Sequence, residues 1–415
     1  MTLRHTSLAP VSKNRSSTSL SNLTVFAFVF LLPFEDSHLQ DTPLGYAGAS
    51  FALIPAGILL ILKLLSRKIN TFFLAYLLYA IALSTTYLYI ATYDPYFALN
   101  RGLRLFFLYS IYFFTLSYFI TAEFNFSSFA KIVFISALLS LALTIGPADL
   151  LSNNSLLHFT ENQNQRPRGL SIENSMFGFY FACSLLLTGV YYKTPITSLA
   201  IALIITSFFI QSKGTLSATI LTILTYFLFF SSSTLLKKLS AFALLAPAGY
   251  ILVVLILLPS LTGDIANYTS VATRATLGVL SITTLLTDPL GVGFTGYLQH
   301  FYDHGPAAMR LLDSISPLPL NFQEVEGYFH EGAYKNVSAK SLFFDMTILF
   351  GWPFVILSAV FFVKVIKIAR TTNQPQRLLL LLFTFFALFS YITPAGTYTS
   401  AAFLGLLLNR NFKKP

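Results

Sequence analysis

Ionisable side chains are concentrated in one long polar stretch, from Pro259 to Lys340, that interrupts an otherwise apolar chain. Arginine, lysine, histidine and carboxylate side chains are the types that bind phosphate or move protons. Those in the stretch include Arg274, His300, His304, Arg310, Glu324, Glu326, His330, Glu331 and Lys340. A transporter needs mainly helices, whereas a stretch of this size offers room for chemistry. The pattern therefore favours an enzyme.

Four residues near the end of this stretch are candidates for a catalytic base. They are Glu324, Glu326, His330 and Glu331. A carboxylate or an imidazole can take the proton of an attacking hydroxyl. The alternative is a solvated acidic turn with no catalytic role.

Two histidines four residues apart, His300 and His304, would lie on one side of a helix, as many zinc ligands do. Asp303 lies between them. No third strong ligand occurs at a matching spacing, so we expect no metal.

Five basic residues are candidates for binding a phosphate. They are Arg166, Arg168, Lys213, Arg274 and Lys340. Lys213 occupies a short turn that begins a helix, where the helix dipole favours an anion. Arg166 and Arg168 flank a proline, and each guanidinium can contact phosphate through two N–H groups. The alternatives are a snorkelling lysine at Lys213 and a solvated loop around the two arginines.

The apolar residues between Ile265 and Thr287 recur at helical spacing, which predicts an amphipathic helix lying on the outer leaflet. Arg274 falls on its polar face, towards headgroups or a cavity. Further along the chain, we expect Asp345 to pair with Lys340 or Lys213.

The composition of the chain indicates a membrane protein. Hydrophobic residues make up 55% of the sequence and charged residues 10%, a balance that predicts an all-α polytopic membrane protein. A bilayer core of about 30 Å needs roughly 20 apolar residues per helix. About twelve transmembrane helices are predicted, near 20–34, 46–65, 70–92, 103–122, 130–147, 172–191, 195–211, 214–232, 239–258, 342–366, 376–394 and 396–409.

Lysine and arginine in the connections predict the orientation of these helices. Both termini are expected in the cytoplasm, with one large loop on the other side. The predicted divisions are helices 1–9 in residues 1–258, the loop with its amphipathic helix in 259–341, and helices 10–12 in 342–415. The net charge of +10 then comes from basic residues that set the topology and contact anionic membrane lipids. No cluster of basic and aromatic residues suggests a nucleic-acid partner.

An ordered set of short motifs resembles the O-antigen ligase and O-antigen polymerase superfamily. The set is Arg166-Pro167-Arg168-Gly169 with Glu173-Asn174, Ser212-Lys213-Gly214, Arg274 followed by Asp288-Pro289-Leu290-Gly291-Val292-Gly293-Phe294, and Lys340-Ser341 with Gly351. The resemblance covers the chain from about residue 160 onward. It implies a GT-C-like fold in a bacterial inner membrane, with the reaction on the periplasmic face.

The resemblance also implies the substrate and the partners. The family transfers oligosaccharides carried on undecaprenyl pyrophosphate, so the substrate brings its own leaving group and no cofactor is expected. The five basic residues would bind the pyrophosphate. A chain-length regulator protein is a possible further partner.

One departure from the family pattern separates its branches. Ligases resemble one another at a histidine where this chain has Lys340, and at a second glycine where it has Phe354. The departure favours a polymerase. The alternatives are a ligase that transfers the glycan to lipid A core and, in another class, a flippase for lipid-linked oligosaccharides.

Overall fold

The protein is described by a computed structural model that covers residues 15–42, 44, 48–66, 69–123, 125–145, 167–231, 233–234, 238, 269–317, 319–330, 337–393 and 398–409. Within these ranges the chain is all-α and has no strand. The first eight helices are α1 (Arg15–Leu31), α2 (Leu53–Leu65), α3 (Thr71–Tyr89), α4 (Pro95–Thr121), α5 (Phe126–Ile145), α6 (Asn174–Tyr192), α7 (Ile196–Ile210) and α8 (Lys213–Thr225). The others are α9 (Thr269–Thr287), α10 (Gly293–Ile315), α11 (Gln323–Glu326), α12 (Leu342–Thr371), α13 (Pro375–Ser390) and α14 (Thr399–Leu408).

Seven of the described helices are long and apolar enough to cross a membrane, namely α3, α4, α5, α6, α8 with the π-helical turn that extends it to Phe230, α9 and α12. The helices α1, α2, α7, α13 and α14 are apolar but shorter. The predicted span at 239–258 lies outside the described residues. Every one of the remaining predicted spans overlaps one of these helices. The all-α prediction is confirmed, and the apolar helices agree with a multi-pass membrane protein. The number twelve and the sidedness stay predictions.

Polar residues at the helix starts explain where several of these elements begin. Asp94 accepts from the backbone N–H of Tyr96 at 2.9 Å, and Pro95 occupies the first turn of α4. Because of this cap, α4 begins two turns before the predicted span and carries Arg101 inside the helix. Side chains of Ser212 and Ser341 cap α8 and α12 in the same way. Capping places both serine motifs at helix N-termini.

The long polar stretch is mostly helical rather than mostly loop. The helices α9 and α10 pack against each other, and both contact α12. Their connecting turn bonds to the middle of α12, where Val292 N–H donates to Ile348 O at 3.0 Å and Trp352 N–H donates to Pro289 O at 2.8 Å. The pair α9–α10 is therefore a hairpin inserted among the other helices.

A break in α12 receives the tip of this hairpin. Gly351 has φ +56° and ψ −145°, outside helical values, a backbone conformation that glycine adopts without steric cost. A Cβ on Gly351 would lie 2.2 Å from Pro289 O, and one on Gly291 would lie 2.5 Å from Leu349 O. Since neither position has room for a side chain, the two glycines permit close contact between the hairpin tip and α12.

The outward face of α9 is apolar and its inward face is polar. Ile282 and Leu286 are 60% and 78% exposed, while Thr276, Ser281 and Thr284 are buried. The sequence predicts this division of the faces, with the apolar side towards lipid and the polar side towards headgroups or a cavity. It places the helix on the outer leaflet, whereas α9 packs against α10 and α12. Small and polar residues allow membrane helices to approach closely and bond across the interface, which leaves the apolar face for acyl chains.

Aromatic rings fill the centre of the bundle where the hairpin enters. Phe294 of α10 lies 5.6 Å from Phe350 of α12 and 5.9 Å from Tyr109 of α4, between ring centroids. Tyr76 of α3 lies 5.7 Å from Phe350. Such pairs each contribute about 0.5–1.5 kcal/mol beyond the area they bury. This core ties α9 and α10 to the bundle and so fixes the residues at the hairpin's open end.

Candidate functional site

Three motif segments that are far apart in sequence meet at one end of the bundle. The N-terminus of α6 contacts the turn before α8, where Asn174 Nδ2 donates to Gln211 O at 3.1 Å. The start of α12 contacts the end of α13, where Leu342 N–H donates to Ile392 O at 2.7 Å. The ring of Tyr391 packs on Gly214 and links the two contacts. The starts of α6, α8 and α12 therefore lie together.

An ion pair between Lys340 and Glu324 lies at this end. Lys340 Nζ is 3.2 Å from Glu324 Oε1, and the two side chains are 35% and 28% exposed. Glu324 Oε2 also accepts from Thr269 Oγ1 at 2.8 Å and from Thr273 Oγ1 at 3.3 Å. Tyr328 OH donates to Oε1 at 2.8 Å. Both oxygens of Glu324 are thus occupied by donors from α9, from Tyr328 just after α11, and from the segment before α12.

These contacts determine the ionisation of Glu324. Burial alone would raise its pKa, but the Lys340 ammonium and hydrogen bonds from Tyr328 and Thr269 outweigh burial, so the pKa is lowered. Burial and the neighbouring carboxylate raise the pKa of Tyr328. Glu324 is therefore a carboxylate at neutral pH with its acceptor sites filled. This favours a role in holding Lys340 over a role as a proton acceptor.

Arg274 lies beside this pair without joining it. It is largely buried on α9, and Glu173 and Glu324 are the carboxylates whose charges act on its guanidinium. Neither forms an ion pair with it, and its Nε has no hydrogen-bond partner in the described part of the chain. A buried cationic donor with an unused N–H group is costly unless a ligand satisfies it. Arg274 is thus a predicted phosphate-binding residue that no carboxylate of the described residues pairs with, and it has an N–H group available to donate to an anion.

Lys213 is exposed at the first residue of α8. The Ser212 side chain accepts from Thr215 N–H at 3.2 Å, which defines the helix start. Backbone N–H groups and the helix dipole favour an anion at such a position. Through Gly214 and Tyr391, this lysine belongs to the same end of the bundle as Lys340.

Arg168 has a different environment from the other predicted cations. Its Nη1 is 3.4 Å from Asp36 Oδ2 and 3.4 Å from Ile172 O, and the two side chains are 5% and 1% exposed. Burial lowers the pKa of Arg168, and Asp36 opposes that shift. The structure thus pairs Arg168 with an internal carboxylate, while its predicted contact with pyrophosphate stays a prediction.

The remaining predicted site residues are not brought into the cluster. Glu326 and His330 are exposed, on the short α11 and just after it. Arg166 and Glu331 lie outside the described residues. The roles predicted for these four residues stay predictions.

Sequence reasoning missed a buried network under Lys340. Arg101 Nη2 donates to Val337 O, and Asp345 Oδ1 accepts from Tyr297 OH and, at 2.8 Å, from Ala339 N–H. The expected pairing of Asp345 with Lys340 or Lys213 is wrong, because Asp345 bonds to Tyr297 and the backbone while Lys340 bonds to Glu324. The signal for Arg101 is that the sequence predicts it on the outer side, where a membrane protein avoids basic residues unless they have partners. The network fixes the segment that carries Lys340.

An apolar cavity of about 660 Å³ opens beside this cluster. Its walls come mainly from α3, α4, α12 and α13, and along α12 they run from Leu342, two residues after Lys340, to Lys364. That run corresponds to about 33 Å of helix, close to the roughly 30 Å thickness of a bilayer core. Phe343, Met346 and Phe350 are among its apolar lining. The cavity can take an alkyl or isoprenoid chain whose head lies at the Lys340 end.

No known protein-family model matches the chain, and no solved structure matches it. A curated relative does: an uncharacterized 49.5 kDa protein in the cps region of Klebsiella pneumoniae. It is 30% identical over 406 residues, which cover 93% of this chain and 92% of the relative. The chain belongs to the same family as this cps-region protein.

Proposed function

We propose that this protein is a glycosyltransferase that polymerises oligosaccharide repeat units carried on a polyprenyl pyrophosphate. The observation that carries the proposal is the position of Arg274, with its unused Nε, beside the Glu324–Lys340 ion pair at one end of a long apolar cavity. A lipid pyrophosphate has the matching chemistry, since it combines a dianionic head with an isoprenoid tail. The cps-region location of the relative supports a role in capsular polysaccharide synthesis.

The reaction needs charge stabilisation more than it needs covalent help from the protein. An acceptor hydroxyl oxygen attacks the anomeric carbon of the donor sugar, and the bond from that carbon to the pyrophosphate oxygen breaks. The electron pair leaves with the lipid pyrophosphate, and the acceptor proton passes to water or to an exposed carboxylate. Fixed cations stabilise the negative charge that develops on the departing phosphates.

Each cation of the cluster has a part in this proposal. Arg274 contacts the pyrophosphate through its guanidinium, and Lys340 and Lys213 neutralise its charge from the starts of α12 and α8. Each charge-assisted contact contributes about 1.5–3 kcal/mol. Glu324 positions Lys340, and Arg168 positions the start of α6 through its pair with Asp36. Direct contacts of Arg166 and Arg168 with the pyrophosphate stay predictions.

The proposal places the cluster on the periplasmic face of a bacterial inner membrane, with both termini in the cytoplasm. The positive-inside distribution of lysine and arginine supports this orientation. Undecaprenyl-pyrophosphate-linked oligosaccharides are the proposed substrates, and a chain-length regulator is a proposed partner. Lys340 in place of a ligase histidine supports polymerisation over transfer to lipid A core.

Purified protein in liposomes, supplied with lipid-linked repeat units, tests the proposal. We expect the repeats to lengthen into a ladder on a gel, with no nucleotide sugar added. Arg310→Ala changes an exposed arginine on α10 and serves as the matched control, which should remain active. Transfer of intact lipid-linked repeats across the bilayer without lengthening would instead identify a flippase.

Deletion of the gene separates polymerase from ligase. For a polymerase, we expect cells to display or accumulate single repeat units. A ligase that uses lipid A core would leave that core without any repeat, and this outcome would overturn the proposal.

A further inference from the structure

A second polar cluster lies between the two helices of the hairpin, away from the cation cluster. Asp288 follows the last residue of α9, and His300 and His304 lie one turn apart on α10. One ligand atom from each of the three lies within 4.8 Å of the others. The two imidazole rings are 4.7 Å apart between centroids. The third ligand that the spacing of the histidines lacks is thus supplied by the neighbouring helix.

Hydrogen bonds orient the imidazole of His300. Its Nε2 is 2.7 Å from Thr284 Oγ1, and that hydroxyl donates to Leu280 O at 2.9 Å. Thr284 therefore accepts from Nε2–H, which leaves Nδ1 with its lone pair. A backbone-anchored hydroxyl of this kind is the support that metal-binding histidines receive from their second nitrogen.

The lone pair of His300 faces a carboxylate. Nδ1 is 3.6 Å from Asp288 Oδ2, a distance too long for a hydrogen bond. Two electron-pair donors that face each other across this gap repel unless a cation lies between them. Tyr87 OH donates to Asp288 Oδ1 at 2.6 Å and Thr287 Oγ1 donates to Oδ2 at 2.8 Å, so the carboxylate is held in place.

The geometry points to a site for one divalent transition-metal ion, bound by Asp288, His300 and His304. Two imidazole nitrogens and one carboxylate oxygen are a ligand set that suits Zn²⁺. His300 is only 4% exposed, while the Asp288 side chain is 24% exposed. The ion completes the contact between α9 and α10.

This metal stabilises the hairpin and takes no part in the reaction at the cation cluster. Arg274 and Asp288 are separated by fourteen residues of α9, or about 21 Å along the helix. The inference therefore does not depend on the proposed function. It rests on the positions of the three side chains and on the hydrogen bonds that hold them.

Metal content and metal spectroscopy test the inference. The protein is purified with an affinity tag that contains no histidine, loaded with Zn²⁺ and desalted, and its zinc is measured by mass spectrometry. We expect about one Zn²⁺ per chain, reduced at least tenfold in Asp288→Asn and His304→Ala. Asp303→Asn is the matched control, because Asp303 is exposed and accepts from Tyr93 OH at 2.9 Å; this variant should keep the metal.

Titration of the unaltered protein with Co²⁺ provides a second measurement that needs no variant to fold. We expect visible absorption bands from a nitrogen- and oxygen-bound Co²⁺ that saturate at one equivalent and disappear on addition of Zn²⁺. Zinc retained equally by all variants, or the absence of saturable Co²⁺ bands, would overturn the inference.

Discussion

Arg168 and Arg274 have the same side chain and the same sequence-based prediction, but their surroundings differ. Arg168 contacts Asp36, and both side chains are almost fully buried. Arg274 is near Glu173 and Glu324 but pairs with neither, and its Nε has no partner among the described residues. A carboxylate of the protein itself neutralises the charge of the first arginine. The second requires something else to satisfy it.

The comparison teaches that a basic motif does not by itself identify a ligand-binding cation. What decides is whether a carboxylate of the same chain already neutralises the side chain. Lys340 lies between the two extremes, since it pairs with Glu324 but remains partly exposed. The following predictions test this ranking.

The largest effect is expected from breaking the buried pair. Arg168→Ala should destabilise the protein by about 3–5 kcal/mol, because it removes one member of a buried ion pair and leaves the charge of Asp36 buried. Thermal unfolding in detergent measures the loss. The double variant Arg168→Met with Asp36→Leu should recover most of the stability and the elongation activity. A double variant that is folded but inactive would show that Arg168 also contacts the substrate.

Arg274→Ala should leave folding unchanged and reduce elongation by about 10- to 150-fold, the equivalent of one charge-assisted contact of 1.5–3 kcal/mol. Initial rates with lipid-linked repeats measure the loss. Arg274→Lys keeps the charge but not the planar fork, so an intermediate rate is expected. Rates for Arg274→Ala equal to those of the Arg310→Ala control would contradict the proposed contact.

Glu324→Gln should have a smaller, pH-dependent effect. The pKa of Glu324 is lowered from its ordinary value of 4.5 in the folded protein, so its ionised form contributes stability above pH 4.5. That contribution is lost as the pH falls through the lowered pKa. The stability difference between wild type and Glu324→Gln should be about 1 kcal/mol at pH 7, as for a partly exposed pair, and should shrink in acid. A difference independent of pH would exclude the Lys340 pair as its source.

The smallest effects are expected for Glu326→Gln and His330→Ala. Both side chains are exposed, and surface changes are usually within about 0.5 kcal/mol. We expect elongation rates within about threefold of wild type. General bases typically contribute 100-fold or more, so a loss of that size in either variant would identify the catalytic base.

Much of the fold was predictable from sequence because apolar run length is set by the thickness of the bilayer. The helix α10 was not predicted, because the polar residues between Pro259 and Lys340 indicated one large loop. Its helical period was nevertheless present in Phe294, Tyr297, Leu298 and Phe301, which are all buried. The length of a segment and the helical spacing of its apolar residues therefore predict a helix better than the presence of polar residues predicts a loop.

The candidate site was predictable only in part. Residue type and helix-end position were enough to select Lys213, Arg274 and Lys340. The pairing of Arg168 with Asp36 joins residues 132 positions apart, and no local pattern reports such a contact. The third metal ligand, Asp288, could not be predicted for the same reason. Only the packing of α9 against α10 brings it close to His300.

The contact between the hairpin tip and Gly351 has a consequence for the order in which the protein assembles. The chain is made from its N-terminus, so α9 and α10 are synthesised before the segment of α12 that receives them. Until Trp352 arrives, Pro289 O lacks its bonding partner, and the polar inner face of α9 lacks part of its packing surface. The hairpin therefore reaches its final position only after α12 has entered the membrane, and the cation cluster at its open end is among the last parts of the molecule to form.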